Sequence, residues 1–217
     1  MSYMVCHGMK SKAGDIKNIE KHIERKNKDY KNKDIDKSKT HLNYDLHYER
    51  YQSYKYRINE RIKEEYTGTR AIRKDAIFMV NFVISSDQEF FKNLSEERQR
   101  EYFKISYDYL KDYFGEKNVV SAKVHLDETA PHMHLQLVPV SSEGKLQAHK
   151  LMTKDRINKI HSDAPKWLQE RGFEVERGKG KTGKKNIKDI YKYKAKKLEE
   201  SVLELEDKIV KLNKELE

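Results

Sequence analysis

The sequence predicts an α+β fold in which an antiparallel β-sheet is flanked by helices. Short runs rich in β-branched and aromatic residues alternate irregularly with longer runs whose apolar positions recur every three or four residues. Two of the predicted strands are separated by a hairpin-length connection, which favours antiparallel pairing.

The first half of the chain predicts two strands and two helical segments. Residues 3–9 predict an opening strand, and Asp15 caps a helix with isoleucines at helical spacing. Residues 27–40 are polar and predict a loop, whereas the tyrosine-rich stretch 44–66 is compatible with a helix. Residues 76–85 are rich in β-branched and aromatic residues, which predicts a strand.

The second half predicts three strands and two helices. In chain order these are a helix over 87–114, strands over 119–126 and 132–140, a helix over 153–171 and an edge strand over 173–176. Gly115 ends the first of these helices, and Pro165 is expected to break or kink the second.

Composition excludes several classes of protein. Of the 217 residues, 36% are hydrophobic and 38% are charged, and no run approaches the roughly 18 apolar residues that a membrane-spanning helix needs. The first ten residues lack the apolar core of a secretion signal. The 14 tyrosines and 7 phenylalanines argue against general disorder. The single cysteine, Cys6, fits a reducing compartment, so we expect a cytoplasmic protein.

The charge is strongly basic. The formal net charge is +10, and residues 176–197 hold ten Lys and Arg against two acids. Such a surface attracts phosphate polyanions, with nucleic acid as the first candidate partner. A merely solvated lysine-rich surface is equally compatible with the charge alone.

The chain is predicted to divide into a globular domain at 1–176, a basic linker at 177–188 and a helical segment at 189–217. In the last segment, apolar residues are spaced 4-3-4-3-4 at Leu198, Val202, Leu205, Ile209, Leu212 and Leu216. This heptad seam predicts a dimerising coiled coil, with a helix folded back on the domain as the alternative. Because the seam stops in mid-heptad, we expect the chain to be part of a longer one.

A histidine-rich hairpin holds the most informative residues. Side chains alternate between the two faces of a strand, so His125, His132 and His134 converge on one polar face if their strands are neighbours. Three imidazoles in this arrangement predict a divalent-metal site with positions open for a substrate oxygen. Asp127 and Glu128, in the connecting turn, are candidates for further ligands or for orienting the histidines.

A fourth histidine lies on the first predicted helix. His22 falls at the border of the buried stripe and Arg25 lies beyond it, so the imidazole can reach a cleft while the guanidinium meets a phosphate. The same position is typical of a solvent-exposed helical histidine. In a basic protein, the natural substrate of a metal site is a phosphodiester.

Five sequence motifs together resemble the Pre/Mob, or MobV, family of plasmid mobilisation relaxases, which belongs to the wider HUH endonuclease superfamily. The resemblance covers roughly residues 1–180. The motifs are Ser2-Tyr3-Met4-Val5, His22-x-x-Arg25, the six residues 41–46 (HLNYDL), the six residues 71–76 (AIRKDA) and the ten residues 125–134 (HLDETAPHMH).

The resemblance implies an activity and a set of partners. Relaxases of this family nick one strand at a plasmid origin of transfer and remain covalently attached to the 5′ phosphate. The implied partners are single-stranded or supercoiled plasmid DNA at that origin and the conjugation machinery of a helper element. A homodimer through the C-terminal helix is expected from the heptad seam.

The resemblance also implies roles for individual residues. His125, His132 and His134 bind a divalent metal, with Mn²⁺ favoured over Mg²⁺, and Glu128 supports them. His22 is the nucleophile and Arg25 holds the scissile phosphate. Tyr44 is the rival nucleophile, although packing or stacking on a base suits it better. Before the predicted strand 76–85, the residues expected to grip the DNA backbone are Arg70, Arg73 and Lys74, with simply solvated side chains as the alternative.

Other functions are compatible with parts of this pattern. A replication-initiator HUH nuclease shares the chemistry, but the histidine on the first helix favours mobilisation. A non-catalytic DNA-binding dimer with a structural metal is disfavoured because structural sites usually close four ligands. A metal hydrolase for a small molecule leaves the basic linker unexplained.

Overall fold

The computed structural model describes residues 2–30, 32–48, 51–178 and 190–216. The chain divides into two compact units, Met1–Gly178 and Lys179–Glu217. The strands of the first unit are β1 (Ser2–Lys12), β2 (Tyr44–Asp45), β3 (Ile77–Ser85), β4 (Val119–His125), β5 (His132–Leu137) and β6 (Val175–Arg177). Its helices are α1 (Ile16–Ile23), α2 (Tyr54–Glu65), α3 (Gln88–Lys92), α4 (Glu96–Phe114), α5 (Ala148–Leu151) and α6 (Lys154–Gln169), with 3₁₀ turns at Lys37–Leu42 and Glu116–Asn118.

The strands form one six-stranded sheet in the order β2-β4-β5-β3-β1-β6. All neighbours pair antiparallel except β1 and β6, which are parallel. The predicted α+β class with an antiparallel sheet is therefore confirmed, and the predicted edge strand is present with a parallel orientation.

Helices cover both faces of the sheet, but unequally. On one face, α3, α4 and α6 bury a large aromatic and aliphatic core that includes Phe91, Phe103 and Leu110. On the other face, α1 and α2 bury a smaller cluster that includes Ile23 and Ile58. The second face also carries the histidines, so α1 lies over the sheet beside them.

Two predicted helices are wrong in their extent. Residues 44–66 do not form one helix, because Tyr44 and Asp45 pair with β4 before Ser53 caps α2. Residues 87–114 form two helices, since Ser95 accepts a hydrogen bond from a backbone N–H of α4 and starts a new helix there. Local side-chain caps thus outweigh the continuous apolar periodicity.

Other boundaries differ by a few residues. The strand predicted over 132–140 ends at Leu137, before Pro139, which has no N–H to extend a ladder. The helix α6 continues through Pro165 and is not broken there. The opening strand β1 extends beyond its prediction, and Gly8 is required in it because a Cβ would lie 2.7 Å from a ring carbon of Phe82.

The second unit contains the helix α7 (Ile190–Leu216). The apolar residues described as exposed on it include Leu198, Val202, Leu205, Ile209 and Leu212. The predicted basic linker lies largely outside the described residues. Within the described ranges, no helix is long and apolar enough to cross a membrane.

Candidate active site

Three histidines meet on adjacent strands, as the sequence predicts. His125 on β4 pairs directly with His132 on β5, and His134 lies two residues further along the same face. The ring centroids are 4.8 to 5.1 Å apart, and one nitrogen from each ring lies within 4.8 Å of the others. This is the spacing of a candidate three-histidine metal site.

Backbone carbonyls orient two of these rings. The carbonyl of Ile23 lies 2.8 Å from Nε2 of His125, and the carbonyl of Ala130 lies 3.0 Å from Nδ1 of His132. Because a carbonyl only accepts, each of these nitrogens donates its proton. The opposite nitrogen then carries the lone pair, which in His125 faces Nη2 of Arg25 at 3.0 Å. Metal-binding histidines are typically held in this way.

The third histidine supports the same interpretation. His134 is 7% exposed, and neither of its ring nitrogens has a hydrogen-bond partner among the described residues. A buried polar group without a hydrogen-bond partner lowers the stability of the fold. A ligand other than the described residues would therefore pair with these nitrogens. The three residues therefore fit a divalent metal ion.

Two histidines of the cluster, His125 and His134, have lowered pKa values. Burial, followed by the nearby Arg25 charge, lowers the pKa of His125 to about 3. Burial and the neighbouring histidines lower the pKa of His134 well below its usual value. Neutral imidazole is the form that binds a metal, so protons compete weakly at these two positions.

His22 lies beside this cluster, on the last turn of α1. Its ring makes edge-on contacts with His134 and His125, with centroids 5.9 and 6.2 Å apart. Burial, and then the positive charge of Arg25, lowers the pKa of His22. A neutral imidazole next to a metal site has a lone pair available for nucleophilic attack.

Arg25 is held in place by the turn that follows β4. Its Nε and Nη2 donate to the two carboxylate oxygens of Asp127 at 2.8 and 2.7 Å, and Nη2 also lies 2.7 Å from Oε1 of Glu128. The Arg25 backbone is left-handed, with φ of 53°, alone among the described non-glycine residues. The expected two-pronged grip on a phosphate needs correction, because Asp127 already occupies that fork.

Glu128 lies at the edge of the histidine cluster. Its Oε1 is 3.9 Å from Nε2 of His132 and 4.0 Å from Nδ1 of His125, while Oε2 accepts a hydrogen bond from Asn32. Glu128 therefore lies next to the candidate metal ligands, and its supporting role stays a prediction.

The loop before β2 contributes residues that sequence reasoning missed. Thr40 donates to Asp127 at 3.0 Å, Asn32 donates to Glu128 at 2.9 Å, and the side-chain oxygen of Asn43 accepts from the Leu126 N–H at 2.7 Å. The available signals were the polar composition of residues 27–40, interpreted only as a loop, and the motif 41–46, which includes Asn43.

The structure places Tyr44 away from the site, which corrects its assignment as a rival nucleophile and as a residue stacking on DNA there. Tyr44 pairs with Val124, so its ring points to the face opposite His125. It packs against the larger core, with the Arg100 guanidinium 4.3 Å from the ring centroid. The tyrosine beside His22 is Tyr30, with ring centroids 6.3 Å apart, and no sequence signal marked it.

The basic residues Arg70, Arg73 and Lys74 are exposed in the loop before β3. Arg73 is paired with Asp75, and the loop borders a groove with Lys145. The loop enters β3 at Ile77, whereas the histidines lie beside Val83, about 20 Å further along the strand. Any DNA contact here is therefore distant from the histidine cluster.

The chain matches known proteins over most of its length. Residues 1–195 match the family model described as plasmid recombination enzyme. A plasmid recombination enzyme of Lactiplantibacillus plantarum is 37% identical over 206 residues, which is 95% of this chain and 57% of that protein. One from Streptococcus agalactiae is 41% identical over 180 residues, which is 82% of this chain and 36% of that protein. The chain thus spans about a third to just over half of these relatives.

Solved structures match as well. A crystal structure of the Mn-bound MobM relaxase domain, in complex with oriT DNA of plasmid pMV158 at pH 6.8, superposes with a TM-score of 0.82 at 38% identity. The match covers 88% of this chain and 98% of that one. A second Mn-bound complex of the same domain, at pH 5.5, has a TM-score of 0.79.

Proposed function

Since the chain belongs to the plasmid recombination enzyme family, we propose that it is a metal-dependent DNA relaxase. In this proposal it nicks one strand at a plasmid origin of transfer, stays covalently linked to the 5′ phosphate, and serves mobilisation or plasmid recombination. The observation that carries the proposal is the neutral His22 ring edge-on to His125 and His134.

His22 acts as the nucleophile. The lone pair of its imidazole forms an N–P bond with the scissile phosphate, and the bond from phosphorus to the 3′ oxygen breaks. The leaving 3′ oxygen takes up a proton, and the His22 ring loses the proton on its other nitrogen. The resulting phosphoramidate can be reversed by the 3′ hydroxyl, which rejoins the strand.

The metal is held by His125, His132 and His134, and manganese is the ion present in the matching relaxase structures. A divalent ion supplies charge neutralisation and polarisation at the phosphoryl oxygens. The carbonyls of Ile23 and Ala130 fix the orientation of the His125 and His132 rings, and His125 Nδ1 would have to exchange its contact with Arg25 for the ion.

Arg25 is a positioning residue. Its Nη1 donates to the carbonyl of His22 at 3.1 Å, and Nη2 lies 3.0 Å from Nδ1 of His125, while Asp127 fixes its guanidinium. Arg25 thereby joins the end of the helix that carries the nucleophile to the strand that carries a metal ligand. Glu128 holds the same guanidinium from the side of the cluster.

The partners follow from this activity. The substrate is single-stranded or supercoiled plasmid DNA in the cytoplasm, with Arg70, Arg73 and Lys74 contacting the backbone away from the nick. The exposed seam of α7 supports a homodimer, and the conjugation machinery of a helper element is the downstream partner. Sedimentation of the chain and of Leu205→Lys tests the dimer, since a lysine at the seam is expected to give monomers.

The activity is tested on a supercoiled plasmid that carries the gene and its flanking DNA. With Mn²⁺ and an SDS stop, the expected products are open circles with protein on one 5′ end. His22→Ala is expected to bind the DNA without nicking it. Binding without any nick by the unaltered chain contradicts the proposal and favours a non-catalytic DNA-binding protein.

A further inference from the structure

The face of the sheet that carries the histidines continues beyond them onto β1. Cross-strand pairing aligns His134 with Val83 and Val83 with His7, and it aligns His132 with Ser85 and Ser85 with Val5. Directly paired residues share a face, so Val5 and His7 lie on the histidine side.

A third set of cross-strand pairs on this face also ends on β1. Met9 pairs with Asn81, which pairs with Gln136 on β5. The inner members of this set are buried, with Asn81 5% and Gln136 0% exposed, whereas Met9 at the end of the set is 48% exposed. Along this set of pairs, the face is therefore buried at β5 and β3 and exposed at β1.

Val5, His7 and Met9 form a strip of open surface, here called the β1 platform. Val5 is 46% exposed, and His7 is exposed between it and Met9. Val5 and His7 are two strands from β5, or about 10 Å across the sheet from His132 and His134. The platform thus adjoins the candidate active site through the half-buried Val83.

We propose that the β1 platform contacts the faces of the bases beside the reacting phosphate of single-stranded DNA. A strip with two exposed apolar side chains, next to histidines that fit a divalent metal ion, suits a ligand with both flat apolar faces and phosphates. Valine and methionine have no charge for a phosphate, but they pack on bases, and the sulfur of methionine favours aromatic rings. The proposal rests on the proposed function, which makes DNA the ligand of the adjoining histidines.

The test compares two probes of equal charge: the oligonucleotide dT20 and a 20-mer of abasic sites. Affinities of the full chain with Mn²⁺ are measured by fluorescence anisotropy. The unaltered protein is expected to prefer dT20, and Val5→Ser/Met9→Ser is expected to reduce that preference about fivefold or more, from the loss of base contacts. His7→Gln, at an exposed position, is expected to reduce it in the same direction.

Val210→Ser on α7 is the matched control, because Val210 is 53% exposed and lies outside the heptad seam. It is expected to keep the full preference for dT20. Equal binding of both probes by the unaltered chain overturns the proposal, as does an unchanged preference in both β1 variants. A double variant that changes sedimentation but not the preference also overturns it, and identifies a second copy of the chain as the occupant.

The outcome is separable from that of the proposed function, because neither probe has to be nicked. If the β1 variants lose the preference for dT20 and the unaltered chain never nicks plasmid DNA, the β1 platform is supported and the relaxase activity is contradicted. If the unaltered chain nicks plasmid DNA and the β1 variants keep the preference for dT20, the relaxase activity is supported and the β1 platform is contradicted.

Discussion

Arg25 and Asp127 form a two-pronged ion pair in the interior of the protein. Nε and Nη2 of Arg25 donate to the two oxygens of Asp127 at 2.8 and 2.7 Å, and the side chains are 5% and 0% exposed. Burial alone would raise the pKa of Asp127, but hydrogen bonds from Arg25 and Thr40 outweigh it and hold that pKa well below its usual value. The pair fixes the end of α1 against the turn after β4.

Asp127→Asn is expected to destabilise the protein by about 3 kcal/mol, the low end for a broken buried pair, because it leaves the buried Arg25 charge with Glu128 as its one carboxylate partner. Urea unfolding of the metal-free protein measures the change. Asp75→Asn is the matched control, since Asp75 pairs with Arg73 on the surface, where a lost ion pair costs less than about 1 kcal/mol. Equal costs at the two sites contradict this account of the pair.

His134→Ala is expected to weaken Mn²⁺ binding at least about tenfold, because it removes one of the three candidate ligands. His134 is the ligand whose two ring nitrogens have no hydrogen-bond partner among the described residues. Titration calorimetry of the metal-free protein gives the affinity. His149→Ala, at an exposed histidine outside the cluster, is expected to leave it unchanged. An unchanged affinity in His134→Ala places the ion elsewhere.

The metal-free protein is expected to lose stability as the pH falls from 7 to 5. His125 and His134 have lowered pKa values in the folded state, through burial first, so the unfolded chain binds their protons first. Their contribution to the free energy of unfolding is complete above the unfolded-state pKa near 6.5. Below that pH it declines by up to about 1.4 kcal/mol per pH unit for each histidine.

Urea midpoints at pH 7 and pH 5, in EDTA, measure this dependence. His134→Gln is expected to show a smaller decline, because it removes one of the two titrating groups. A flat midpoint across this range indicates that the histidines take up protons in the folded state as readily as in the unfolded chain, which contradicts lowered pKa values.

Tyr44→Phe is expected to leave plasmid nicking and the covalent adduct unchanged. The Tyr44 ring lies on the face opposite His125, and its hydroxyl is buried with no hydrogen-bond partner among the described residues. Removing that hydroxyl costs no contact. A loss of the adduct in Tyr44→Phe, with DNA binding retained, makes Tyr44 the nucleophile and contradicts the role of His22.

The histidine cluster could be predicted because strand alternation is a local property. Once 119–126 and 132–140 are neighbouring strands, the face shared by His125, His132 and His134 follows. The contact of His22 with this cluster depends on where α1 crosses the sheet, which no periodicity specifies. The resemblance to a known family supplied that step.

The role of Arg25 could not be predicted from spacing. Its guanidinium is occupied by residues about a hundred positions away, and its left-handed backbone is possible because Asp127 and Glu128 hold it. The face of the sheet on which the Tyr44 ring lies could likewise not be predicted from the sequence. The stretch 44–66 has a helical composition, but Asp45 accepts the Ala122 N–H and joins the sheet.

The central claim is that His22 forms the bond to DNA. The most direct measurement is mass spectrometry of the protein–DNA adduct, after digestion of both components, with its acid stability tested in parallel. The account predicts a nucleotide on the peptide that contains His22, through a linkage that acid cleaves. An acid-stable linkage on a tyrosine peptide would contradict it.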